Sequence, residues 1–177
     1  MPVQPYLDLA LLLLVVSAAI QDLAARRIPN RLLLAGWLVA LPLHALGASA
    51  GAALLASLAG AGTGFLLFLP LYLLRGMAAG DVKLMATVGA FVGPAGAFEI
   101  AVLTWCAGGL MGLAIVLAKG RLRAALGNAA DLLRPWLLRL AALPAPAAPM
   151  RQPSVGSMPY GVAIAAGTLL VLAASQT

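Results

Sequence analysis

The sequence predicts an all-α integral membrane protein: a bundle of about six transmembrane helices with one amphipathic helix lying on the cytoplasmic surface. Three observations predict it. Of 177 residues, 63% are hydrophobic and only 9% charged, with a mean hydropathy of +1.04. Several windows of about 20 residues are almost wholly apolar, the length a helix needs to cross a bilayer core. The eleven Lys and Arg are scattered between those windows instead of forming one patch.

The first helix is expected over about residues 5–24 and the second over 31–47, joined by the short cytoplasmic turn "AARRIPN". The first cations, Arg26 and Arg27, follow the first apolar run, so the N-terminus is expected outside and the Arg pair in the cytoplasm. The third helix covers about 52–74, and the loop around Asp81 returns to the cytoplasm. A short fourth helix runs over 82–92, "GPAG" turns the chain outside, and a fifth covers 97–118. The sixth spans 160–174 and leaves the C-terminus outside. This path puts all eleven cations on the cytoplasmic side.

Residues 119–157 depart from that pattern. Leu122, Leu126, Leu133, Trp136 and Leu140 recur at helical spacing among Arg121, Arg123, Asp131, Arg134 and Arg139. A spanning helix would bury two arginines, so the segment reads as an interfacial helix kinked at Pro135, followed by a Pro/Ala linker. The whole chain, residues 1–177, is then one polytopic domain. Small residues at every fourth position, Ala52, Ala56, Gly60 and Gly64, mark a face for close helix packing, as do Gly108 and Gly112.

Composition also excludes functions. A net charge of +6 suggests nucleic acid, but the positive-inside rule explains the scattered cations better. The single cysteine, Cys106, can make neither an intramolecular disulfide nor a cysteine-cluster zinc site. His44 lies near the far end of the second helix and is not expected to be catalytic or a ligand. No metal and no cofactor are expected.

The chain has five acids: Asp8, Asp22, Asp81, Glu99 and Asp131. Asp8 and Glu99 fall near outer helix ends and Asp131 on the surface helix, where solvation explains them. Asp22 and Asp81 both fall at cytoplasmic ends of membrane helices, at one depth. Ionisable groups there are expensive and are functional candidates. The alternative is two interfacial aspartates paired with Arg26, Arg27 or Lys83. Two close carboxylates do not both ionise readily, so one holds a proton while the other acts as a base toward water. Asp22 ends a helix and Asp81 begins one, so the helix dipoles favour Asp81 as base and Asp22 as acid. Gly80 is expected to bend the chain and let the backbone approach closely, aiming Asp81 inward.

"QDLAARRIPN" resembles the first signature of type IV prepilin peptidases, "GMAAGDVKLM" their second, GxGD-type motif, and "MPYGVAIAAG" the Pro-Tyr-Gly segment opening their last helix. The resemblance extends over essentially the whole chain. It implies a bacterial inner-membrane aspartic endopeptidase that removes the leader peptide from prepilins and pseudopilins at the cytoplasmic face, with Asp22 and Asp81 as the catalytic pair. The first glycine of GxGD is Ala78 here, which stiffens the loop. The cysteine-bearing insertion of the larger enzymes is missing, which implies the minimal form found with tight-adherence (Flp) pili and no N-methyltransferase activity.

Supporting positions are less specific. Lys83 either orients Asp81, contacts the substrate or snorkels to the interface. Pro159, Tyr160 and Gly161 either shape the substrate groove or simply start the last helix. Asn30 is expected to cap the second helix. A rival reading is a small proton- or cation-coupled transporter using the same carboxylates, although transporters place such groups nearer the midplane. A presenilin-like protease would carry a "PAL" signature that the last helix lacks.

Overall fold

The computed structural model describes residues 3–47, 49–74, 76–120, 122–123, 126–127, 130 and 158–175. Backbone contacts divide the chain into a larger unit, residues 1–108 with 159–177, and a smaller one, residues 109–158. The described residues form five helices and no strand: α1 (Gln4–Ala25), α2 (Asn30–Ala45), α3 (Ala50–Leu73), α4 (Ala79–Ala118) and α5 (Tyr160–Ala174). Three of them, α1, α3 and α4, are long and apolar enough to cross a membrane. The smaller unit contains the last turns of α4. The expected interfacial helix and Pro/Ala linker lie, but for a few isolated positions, outside the described residues.

The expected fourth and fifth helices form one 40-residue element interrupted at Gly93, whose φ of 73° and ψ of −177° are open to glycine and strained for other residues. The first arm of α4 meets Gly64 of α3 at Met85, and on the second arm Trp105 stacks on Phe68 of α3. Both arms therefore return to one level of α3, and Gly93 reverses the chain. Pro94 then lacks the N–H that would bond the carbonyl of Ala90, four residues earlier. Two neighbouring helices satisfy that carbonyl: Ser57 Oγ donates to it at 2.7 Å and His44 Nε2 at 3.0 Å. His44 thus has a structural partner remote from both aspartates.

Each helix is apolar almost all round, so burial follows packing more than hydrophobicity. On α1 the buried stripe is Leu7, Leu11, Leu14, Val15, Ala18 and Asp22, while Leu9, Leu13, Val16, Ile20 and Leu23 face outward. Asp22 is thus the next helical step of the core-facing stripe. The small-residue face of α3 meets the first arm of α4. A Cβ on Gly60 would overlap the Gly89 carbonyl oxygen, and one on Gly64 the Met85 carbonyl oxygen. α1 packs on both α2 and α5, and α2 on α3.

Candidate active site

Asp81 is the third residue of α4, and Ala78 stands just before that helix. The Ala78 N–H donates to Asp81 Oδ2 at 3.1 Å, and the Asp81 N–H donates to the Ala78 carbonyl at 3.1 Å. An acidic side chain three residues into a helix that reaches back to the preceding backbone N–H is one half of a capping box. Ala78 takes part through its backbone alone. Its φ is not positive, so the methyl group that replaces the first glycine of the motif is accommodated without strain.

Asp22 is held over a far longer sequence distance. The Gly161 N–H, at the second position of α5, donates to Asp22 Oδ2 at 2.8 Å. Pro159, the residue that caps α5, supplies no side-chain bond of its own, so Asp22 takes that place from the end of α1. The approach is close. A Cβ on Gly161 would stand 2.9 Å from Asp22 Cβ and 3.0 Å from Oδ2. Both carboxylates are buried, with 7% of Asp22 and 5% of Asp81 exposed. They lie within Coulombic reach of one another, and Tyr160 lies within reach of Asp81.

Several expectations change. The expectation of Asp22 as the acid rests on its place at a helix C-terminus, but its carboxylate meets the N-terminus of α5, where negative charge is also favoured. Helix ends therefore do not separate the two roles. Gly80 does not bend the chain: it is the second residue of α4, and a Cβ there would meet Ile28 Cβ at an ordinary 3.5 Å. Asn30 does not cap α2; it is the first helical residue, Pro29 is the cap, and no side-chain cap bond forms. Its Oδ1 instead accepts from Lys83 Nζ at 3.3 Å, which turns the ammonium toward α2. Of the Pro-Tyr-Gly segment, Gly161 touches Asp22 directly, and Pro159 and Tyr160 set the start of α5. The backbone N–H groups of Ala78 and Gly161 have no side-chain signal, and sequence reasoning missed them as partners.

One oxygen of each carboxylate is thus engaged by a backbone N–H, and each carboxylate has a second oxygen for chemistry. Two carboxyl groups within Coulombic reach of one another can hold one proton between them, polarise a water and pass protons in both directions. Among the described residues no group of three or more His, Cys, Asp or Glu could hold a metal ion.

The fold and site define a helical bundle with three helices long and apolar enough to cross a membrane and two buried aspartates, each anchored by a backbone N–H at the start of a helix. The chain belongs to the type IV leader peptidase family, whose profile matches residues 9–113, and it is a peptidase. The match includes Asp22 and Asp81 and ends before Pro159–Gly161, the segment that the fold returns to Asp22. Neither the curated proteins nor the solved structures supply a match.

Proposed function

We propose that the protein is an aspartic endopeptidase of the bacterial inner membrane that cleaves the leader peptide of type IV or Flp prepilins and pseudopilins at the cytoplasmic face. The observation that carries the reading is the pair of buried aspartates, each anchored by a backbone N–H, in a chain of this family. In this reading the chain crosses the bilayer six times with both termini outside, and the arms of α4 are two of the crossings.

The ionised carboxylate takes a proton from a water held between the pair, and the water oxygen bonds to the scissile carbonyl carbon. The protonated carboxyl gives its proton to the carbonyl oxygen, leaving a neutral gem-diol. As the diol collapses, the newly protonated carboxyl protonates the leaving nitrogen and its partner takes a diol proton. The C–N bond breaks and the original protonation of the pair is restored. The pair titrates as a unit. The chain has one cysteine and no glycine-rich nucleotide-binding pattern, which supports processing without N-methylation.

Asp22→Asn and Asp81→Asn test the assignment. Asparagine keeps an oxygen to accept the Gly161 or Ala78 N–H, so both variants should reach the membrane at wild-type level. Each should lower processing of a co-expressed prepilin by at least about a hundredfold. Asp8→Asn is the control, because Asp8 is only half-buried on α1 and its carboxylate accepts from Gln4 Nε2 at 2.9 Å in an exposed hydrogen bond. Mass spectrometry of the mature pilin reads both cleavage and the free, unmethylated amino terminus. Near wild-type processing by either core variant would remove the dyad.

A further inference from the structure

Away from the aspartate pair, α2, α3 and α4 enclose an open groove of about 480 Å³. Its rim is polar and cationic, formed by Asn30 and Arg31 at the start of α2 and by Lys83 near the start of α4. Its walls are apolar, with Leu34 and Trp37 from α2 and Phe65 from α3. That volume falls within the range of small-ligand sites, roughly 300–1,000 Å³. The two charged rim residues are both cations, both exposed, and no Asp or Glu joins them among the described lining residues.

We propose that this groove binds an anionic phospholipid, with its phosphate at Arg31, Lys83 and Asn30 and an acyl chain along Trp37, Leu34 and Phe65. The Lys83 ammonium has three N–H groups and gives one to Asn30, which leaves two for phosphate oxygens. The Arg31 guanidinium matches a phosphate through paired N–H donors. Trp37 lies seven residues beyond Asn30, about 10 Å further along the helix. Its amphipathic ring suits the level where headgroup gives way to chain. Basic pockets between membrane helices favour anionic headgroups, and a zwitterionic lipid brings no net charge to balance two cations. A protein membrane segment fits less well, because its cytoplasmic flank is typically cationic and meets Arg31 and Lys83 with like charge.

The full chain, reconstituted with phosphatidylglycerol and phosphatidylcholine in equal amounts and released into a neutral detergent, is read by native mass spectrometry for retained lipid. Phosphatidylglycerol should be retained preferentially, and Arg31→Gln with Lys83→Gln should lower its retention by about tenfold or more. The charge-preserving pair Arg31→Lys with Lys83→Arg should retain most of it, and Trp37→Ala should lose part. Millimolar inorganic phosphate should not displace the lipid. Equal retention of the two lipids, or wild-type retention by the double Gln variant, overturns the proposal. Full displacement by inorganic phosphate shows a plain anion site and also overturns it, as does stoichiometric displacement by a prepilin carrying its membrane segment. If the double Gln variant fails to fold, as judged by thermal unfolding in phosphatidylcholine, wild-type retention by Trp37→Ala overturns it independently.

Discussion

The starts of α4 and α5 are both closed by an aspartate, and the two closures are built differently. α4 carries its own aspartate three residues in, and Asp81 reaches back to Ala78 within a single turn. α5 begins Pro-Tyr-Gly and takes its carboxylate from α1, 139 residues away in sequence. A local cap needs only the right residue at the right offset, so its neighbours are free to vary. A borrowed cap needs two helix ends in contact, and the point of contact admits no side chain. That difference explains why an alanine is tolerated at position 78 while a glycine stands at 161.

The sharpest way to break the comparison is Gly161→Ala. The new Cβ would collide with the Asp22 side chain at both Cβ and Oδ2, so something must move. Overpacking of this kind costs about 1–3 kcal/mol, and displacing a catalytic group by an ångström costs on the order of a hundredfold in rate. Thermal unfolding in detergent and the initial rate of prepilin cleavage should both fall. A fully active Gly161→Ala enzyme would show that the Asp22 anchor is dispensable.

Next in size is the pair Asp22→Ala and Asp81→Ala, compared by unfolding temperature alone. Asp22→Ala leaves the buried Gly161 N–H without its acceptor, at about 1–3 kcal/mol. Asp81→Ala removes a cap whose N–H sits at a half-buried helix start, at about 0.5–2 kcal/mol. Both variants remove a buried carboxyl group, and the comparison between them weighs the two caps. A larger loss from Asp81→Ala would reverse the distinction between local and borrowed closure.

The smallest expected effect is at Gly80. Its missing Cβ would make an ordinary contact with Ile28, and it occupies a helical position. Gly80→Ala should leave the unfolding temperature unchanged or raise it, by up to about 0.5–1 kcal/mol of stability. A clear loss of stability would restore the close-approach role that the motif alone suggested.

Much of the fold was legible. The apolar windows are the helices, because in this composition only a helix satisfies the backbone away from water. The stripe of small residues on α3 is where its partner's backbone comes close, because glycine at 60 and 64 leaves room for the carbonyls of Gly89 and Met85. Gly93 and Pro94 announced a break in the run of helix, but not that the helix resumes at once beyond it, so that two arms share one interrupted element. Nor could the pattern show that Ser57 and His44 meet the carbonyl that Pro94 releases, since three helices must first be assembled.

The sequence alone determined the helical class, the order of the helices, the two aspartates and the motifs around them. Those depend on composition and on spacings of a few residues, which local geometry converts directly into structure. The tertiary structure decided which groups answer those aspartates. It placed Gly161 against Asp22, turned Lys83 toward Asn30, and gave both carboxylates a helix N-terminus. The reason is physical: among helices that are apolar all round, hydrophobic pattern does not select a face. Backbone approach at small residues selects it instead, and that choice exists only once the helices have packed.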